Sequence, residues 1–227
     1  MFTGIVQAKG RVRALKTNPF GVRLVLDRQG WRPPGYKLTL GCSISINGVC
    51  LTLAGLNAKT VEFDVIAQTL KLTNLGGLRP GSEVNIEPSV TGNSAMGGHI
   101  VQGHVDGVGT VAAVKKSAQE WRVTVTPPAE LMEYMIPQGS VSIDGVSLTL
   151  AGVSKKQIEV ALIPTTLEIT TMGGYRRGGR VNLECDIVSK TIVHWLRNQQ
   201  ARPTPPGTPG SGGGVTLATL RTAGFAS

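Results

Sequence analysis

Between residues 22 and 27 the chain alternates, with Val22, Leu24 and Leu26 set against Arg23, Val25 and Asp27, the two-residue period of a half-buried strand. The same period returns along the chain. It predicts strands over residues 1–12, 21–27, 37–46, 49–53, 61–65 and 84–87, and then over 99–111, 121–126, 140–143, 146–150, 158–162 and 180–185. Asn47 and Gly48 stand between two of these runs and form a strong short hairpin signal. Pro33, Pro34 and Gly35 mark a turn, Gly76 and Gly77 a link, and residues 129–135 suit a short helical piece. Short strands at regular spacing without long helices between them predict an antiparallel sandwich or barrel. One helix is expected after the last strand. Asp186 can cap it, and Ile187, Val188, Ile192, Val193, Trp195 and Leu196 make a broad apolar stripe opposite Ser189, Lys190, His194, Arg197 and Asn198.

The pattern occurs twice because the sequence does. Residues 47–55 (NGVCLTLAG) and 144–152 (DGVSLTLAG) agree at seven of nine positions, 97 residues apart. Residues 64–87 and 161–184 align at the same offset with 11 of 24 identical, and Gly4, Val6, Gly10 and Val12 match Gly103, Val105, Gly109 and Val111 at an offset of 99. A period this long exceeds the roughly 20 to 50 residues of a solenoid unit. Each copy is therefore expected to be a small domain, over residues 1–97 and 98–185, followed by a helix over 186–201. Residues 203–214 read as a Pro/Gly/Ser/Thr linker too poor in apolar residues for a core. Residues 202–227 are thus expected to form a tail, with a peripheral helical turn or two over 215–227.

Charge and composition narrow the function. The net charge of +9 raises the possibility of nucleic acid, but Lys and Arg are scattered over both halves and aromatics reach only 4%, too few for stacking platforms. No run of about 18 apolar residues suggests a membrane span. The opening MFTGIVQAKGR lacks the basic and apolar regions of a secretion signal, so the expected location is the cytoplasm. Cys42, Cys50 and Cys185 show no metal spacing, and reduced thiols fit best.

Two near-equal slots differ in chemistry. Cys50 and Thr52 share one strand face in the first copy, and Ser147 and Thr149 do so in the second. The second copy also carries His104 where the first has Ile5. Two similar pockets imply two similar ligands, and the unlike groups imply two roles, with imidazole a general base and thiol or hydroxyl a nucleophile. On a continuous strand His99 and His104, five apart, face opposite sides, and neither has partners at metal spacing. No nucleotide-binding glycine motif is present.

The opening MFTGIV, the repeated NGVCLTL and IDGVSLTL, the junction GGHIVQGHVDG and the tract LECDIVSK resemble the riboflavin synthase alpha-chain family over residues 1 to about 200. The resemblance implies an all-β fold of two tandem six-stranded antiparallel Greek-key β-barrels plus a C-terminal trimerisation helix, with no cofactor and no metal. The implied reaction moves a four-carbon unit between two molecules of 6,7-dimethyl-8-ribityllumazine, giving riboflavin and 5-amino-6-(ribitylamino)uracil. The family's substrate contacts would fall on Gly4, Ile5 and Val6; Cys50, Leu51 and Thr52; Asp64, Val65, Ile66, Ala67, Gln68 and Thr69; Gly103, His104 and Val105; Ser147, Leu148 and Thr149; and Ala161, Leu162, Ile163, Pro164, Thr165 and Thr166. Cys50, His104, Ser147 and Thr149 would assist chemistry, and Phe2, Ser43 and Asp186 also match. The chain departs from the family at Gln68 and Thr165, where Glu is frequent, and at Gln138, where Lys is. Those changes remove charge from the implied pocket. The resemblance further implies a site joining the first barrel of one subunit to the second barrel of a neighbour, and leaves open whether a lumazine synthase assembly encloses the trimer. A non-catalytic lumazine- or flavin-binding protein is the alternative. Such a protein is expected to lose the second copy's polar groups, yet Ser147, Thr149 and His104 are present.

Overall fold

The turn at Asn47-Gly48 closes with both residues at positive φ, 48° and 78°, and its repeat at Asp144-Gly145 does the same at 47° and 78°. This geometry matches the right-handed twist of the strands it joins. The computed structural model describes residues 1–28, 31–117 and 120–200, without the side chain of Gln200. The linker and tail expected over 202–227, and residue 201 of the expected helix, lie outside the described residues.

The first copy contains β1 (Ala8–Asn18), β2 (Gly21–Asp27), β3 (Ser43–Ile46), β4 (Val49–Leu56), β5 (Thr60–Ile66) and β6 (Glu83–Pro88), with a short helix α1 (Ala67–Leu72) after β5. These six strands close in the order β1-β2-β5-β4-β3-β6, all neighbours antiparallel. The second copy repeats the arrangement with β7 (Gly107–Lys116), β8 (Trp121–Thr126), β9 (Ser140–Ile143), β10 (Val146–Val153), β11 (Ile158–Leu162), α2 (Pro164–Ile169) and β12 (Arg180–Cys185). Register shifts fall at matched places: Val12/Ala14 against Val111/Ala113, and Leu53/Gly55 against Leu150/Gly152. Such bulges add the coiling that a small closed barrel needs. Inward residues such as Leu24, Ile44, Leu53 and Phe63 fill the first barrel, and Val123, Ile143, Leu150 and Val160 the second. The alternation read from the sequence sorts core from surface along β4, β8 and β11, whereas β3, β6, β9 and β12 are buried on both faces and Val25, set on the polar side by the pattern, is buried as well.

Three predicted strands are shorter than expected. Residues 37–42 do not pair as a strand, because after the Pro-rich turn the chain makes a left-handed kink at Gly41 (φ 87°), and β3 begins only at Ser43. The opening strands of both copies start late, at Ala8 instead of residue 1 and at Gly107 instead of residue 99. The residues before them cross to the other barrel. Phe2 and Val101 form an antiparallel bridge between the two crossing segments, with Phe2 N donating to Val101 O at 2.7 Å. Val6 is buried in the core of the second barrel, and Val105 packs against the core of the first. Nearby, Asn85 Nδ2 donates to Asp144 O at 2.8 Å and Asn182 Nδ2 to Asn47 O at 2.7 Å, so the two hairpin turns are tied crosswise as well.

Helix α3 (Ile187–Gln200) follows the second barrel, capped as expected by Asp186, whose Oδ1 accepts from Val188 N at 2.6 Å. Residues Met1–Val193 form one compact unit, and the described part of α3 from His194 lies outside it. Among the described residues no helix is long and apolar enough to cross a membrane.

Candidate active site

The crossing segments decide which residues meet. Cys50 N donates to Gly103 O at 2.9 Å, and Ser147 N donates to Gly4 O at 2.8 Å. Each strand that carries a nucleophile therefore receives its cover from the other copy. Only glycine allows this approach: a methyl group at Gly103 would stand 2.6 Å from Cys50 Cβ, and one at Gly4 2.6 Å from Ser147 Cβ, and both glycines have φ near 80°.

The first candidate pocket is the strand face that carries Cys50 and Thr52 on β4, with Ser43 of β3 directly opposite Thr52. Leu53 opposes Phe63, and carrying that register on runs Thr52 towards Asp64 and Cys50 towards Ile66. Val65 is buried, whereas Ile66, Ala67 and Gln68 are exposed and Thr69 is half-buried at the start of α1. Gly103, His104 and Val105 close this pocket, and the His104 side chain is exposed. Asp64 is engaged by Arg23, whose Nη2 lies 2.6 Å from Oδ2, and this pair holds the Asp64 carboxyl below its ordinary range.

The second pocket gathers Ser147 and Thr149 on β10, with Ser140 opposite Thr149. Leu150 opposes Val160, which runs Thr149 towards Ala161 and Ser147 towards Ile163. Leu162 is buried, Leu148 and Thr166 are half-buried, and Ile163, Pro164 and Thr165 are exposed. Gly4, Ile5 and Val6 cover it. Gln138 lies in the turn before β9 with φ 63°, and its N donates to Leu150 O at 3.0 Å.

His104 thus belongs with Cys50. The imidazole that reaches Ser147 is His99, whose Nδ1 is 2.7 Å from Ser147 Oγ. Burial pushes the His99 ring below its ordinary value, while the charge of Asp186 at the cap of α3 opposes that shift. His99 Nε2 is buried without a protein partner. A neutral imidazole in this place can accept the hydroxyl proton and leave the oxygen more nucleophilic. Among the described residues no imidazole bonds Cys50. Reading residues 99–111 as one strand hid His99, since strand geometry turns it away from His104. The available signal was the Gly97-Gly98 pair before it, which breaks a strand and lets the backbone come close.

Beside the second pocket's cover, a cleft of about 570 Å³ is lined by Thr3, Ile5, Gln7, Tyr36, Glu87, Ser89 and neighbours, and of the predicted site residues it contains only Ile5. Among the described residues no cluster of His, Cys, Asp and Glu is arranged to hold a metal.

Two matched barrels, each with a polar strand face covered by a segment of the other, define a duplicated antiparallel β-barrel protein. The lumazine binding domain family matches twice, over residues 3–89 and 102–186. The riboflavin synthase of Mycobacterium tuberculosis is 42% identical over 205 residues, covering 87% of this chain and 99% of its own, and that of Escherichia coli K12 is 35% identical over 213 residues, covering 93% and 99%. The crystal structure of LumP complexed with riboflavin superposes with a TM-score of 0.73 at 27% identity, covering 82% of this chain and 99% of that one. The chain belongs to the riboflavin synthase family of proteins built from two lumazine binding domains.

Proposed function

We propose that this protein is a riboflavin synthase, a transferase that converts two molecules of 6,7-dimethyl-8-ribityllumazine into riboflavin and 5-amino-6-(ribitylamino)uracil. The observation that carries the reading is the pair of matched strand faces with unlike polar groups, Cys50 under the segment of Gly103 and His104 in one and Ser147 bonded to His99 in the other. A dismutation needs a donor and an acceptor of the same structure held for different fates. In the second pocket, Ser147 Oγ gives its proton to His99 Nδ1 and adds to C7 of the donor lumazine. In the first, His104 takes a proton from the C7 methyl group of the acceptor. The carbanion so formed attacks the donor, and the acceptor's two methyl carbons close the new ring on the four-carbon unit. The two C–N bonds holding that unit to the donor ring break with protons taken up by the freed nitrogens, and Ser147 leaves with its proton returned from His99. Thr52 and Thr149, exposed on the same strand faces, supply hydrogen bonds to the two ligands. Holding two lumazines in register supplies much of the acceleration. The residues named from the family as substrate contacts, from Gly4 to Asp186, carry this role.

The productive site in this reading joins the first barrel of one subunit to the second barrel of another within a homotrimer. Support comes from α3, which leaves Val188, Ile192, Trp195 and Leu196 exposed, an apolar stripe suited to helix-on-helix packing. Chains truncated before Asp186 should sediment as monomers or dimers and lose most turnover. A truncated chain that stays trimeric removes α3 from that role. The cytoplasm is the location proposed for this biosynthetic step, and enclosure of the trimer by a lumazine synthase assembly is tested by co-sedimentation with that enzyme.

The activity test uses purified protein and the lumazine alone. Riboflavin fluorescence should rise with one riboflavin formed for two lumazines consumed. No product anywhere between roughly pH 6 and 8, where imidazole changes charge, would overturn the reading. Tight binding of riboflavin without turnover would then favour a binding protein.

A further inference from the structure

Glu87 and Glu184 occupy matched places near the ends of β6 and β12, and the reaction above uses neither. Both are buried. Glu87 Oε1 accepts from Thr3 N at 2.7 Å and from the Thr3 hydroxyl at 2.8 Å, while Oε2 accepts from Gly4 N at 3.0 Å. Glu184 takes three backbone donors: Gln102 N at 2.5 Å on Oε1, and Gly103 N and His104 N, each at 3.0 Å, on Oε2. These are the donors of the two crossing segments, which leave the barrel ladder before β1 and β7 and would otherwise bury unpaired N–H groups. A carboxylate is the one side chain that accepts several N–H bonds and donates none. It replaces the edge strand that the crossing segments lack.

The consequence runs crosswise. Glu184 is rooted in the second barrel, yet the segment it grips places Gly103 O on Cys50 N and His104 at the mouth of the first pocket. Glu87 is rooted in the first barrel, and its segment places Gly4 O on Ser147 N in the second pocket. We propose that Glu184 and Glu87 are positioning residues, each of which sets the geometry of the pocket in the opposite barrel by holding the segment that covers it. This rests on the two-pocket reading given above. Burial pushes Glu184 up to about 7 against the pull of its three N–H bonds, and raises Glu87 in the same way. The charged groups that face Glu184 are Asp106, of the crossing segment, and Lys190 of α3, which pair with each other, along with the Cys185 thiol.

The test is Glu184→Gln beside its twin Glu87→Gln, in the full chain. A glutamine amide turns an NH₂ group towards backbone N–H donors, so part of the grip is lost. Alkylation of Cys50 by iodoacetamide, located by peptide mapping so that Cys42 and Cys185 are counted separately, should speed up about tenfold or more in Glu184→Gln, the factor of one lost charge-assisted hydrogen bond. Glu87→Gln should leave Cys50 alkylation as in the parent. Riboflavin titration should show one of two sites per chain weakened in each variant, and not the same one, as judged by whether bound riboflavin still shields Cys50. Equal exposure of Cys50 in both variants, or in neither, overturns the proposal.

Should Glu184→Gln fail to fold, hydrogen exchange on the parent decides. Amides of residues 102–104 should be protected like those of the barrel strands, and exchange at the rate of an exposed loop overturns the proposal. None of these readouts requires turnover. A chain that makes no riboflavin but shows the crosswise pattern therefore fails the functional reading alone.

Discussion

The two hairpin turns, Asn47-Gly48 and Asp144-Gly145, have nearly the same backbone and are tied by different chemistry. In the first, Asn47 Oδ1 accepts from Asn85 N at 2.8 Å, and Leu78 stands where the second copy has Tyr175. In the second, Asp144 Oδ1 accepts from Asn182 N at 2.7 Å and from Asn74 Nδ2 at 2.8 Å, while Oδ2 accepts from the Tyr175 hydroxyl at 2.5 Å. The extra charge is matched by an extra donor, as a buried carboxylate requires. The pockets follow the same rule: Cys50 stands under Gly103 without an imidazole bond, and Ser147 stands under Gly4 with His99 attached. Duplication kept the frame, and at these two places the side chain and its partners changed together.

The sharpest test of that difference removes the imidazole. His99→Ala should lower riboflavin formation by about 10² to 10⁴, the usual contribution of a positioned acid–base group, in a single-turnover fluorescence assay. A variant as fast as the parent would make His99 a packing residue. Next in size are the two close approaches. Gly103→Ala and Gly4→Ala should each cost about 2 to 4 kcal/mol in urea unfolding, since the added methyl meets backbone and Cβ atoms at positive φ. Unequal costs would show that the exchange of segments is not symmetric in energy.

A comparable effect is carried by pH. Burial pushes Asp144 up to about 6 from 3.8 and Glu184 up to about 7 from 4.5. With folded values above unfolded ones, the folded chain holds more protons across that interval. Their contribution is therefore full below about pH 4 and lost as pH rises through 6 to 7, on the order of 2 to 3 kcal/mol for each group. Asp144→Asn, which copies the first turn into the second, should flatten the fall in urea midpoint between about pH 4 and 6.5, the interval over which Asp144 alone loses its proton. An unchanged slope would place the proton elsewhere.

Smaller is the effect of the left-handed turn before β9. Gln138 has φ 63° where its counterpart Gly41 has φ 87°. Gln138→Gly should stabilise, and Gly41→Ala destabilise, by about 1 kcal/mol in urea unfolding. Least of all, Asp64→Ala, which makes the first pocket resemble the second at Ala161, removes a solvent-exposed ion pair with Arg23 and should leave the unfolding midpoint within error. A clear loss would show that the pair braces β2 against β5.

The sequence by itself determined most of the strands, and the family resemblance it carries decided between a sandwich and a barrel. The two-residue period of Val22, Leu24 and Leu26 needs only that one strand face be buried, and five predicted strands, at residues 21–27, 121–126, 140–143, 158–162 and 180–185, match the observed limits. It also determined the duplication, the Asp186 cap and the matched slots at Cys50 and Ser147. Tertiary structure alone decided how the slots are completed. Residues 1–7 and 99–106 alternate well enough to pass for strands, and local pattern cannot reveal that their hydrogen-bond partners are Glu87, Glu184 and the opposite barrel. That long-range pairing set His104 beside the segment that covers Cys50 and brought His99 to Ser147, because which copy covers which pocket depends on contacts from 48 residues apart in the chain (His99 to Ser147) to 143 (Gly4 to Ser147), where local pattern carries no information.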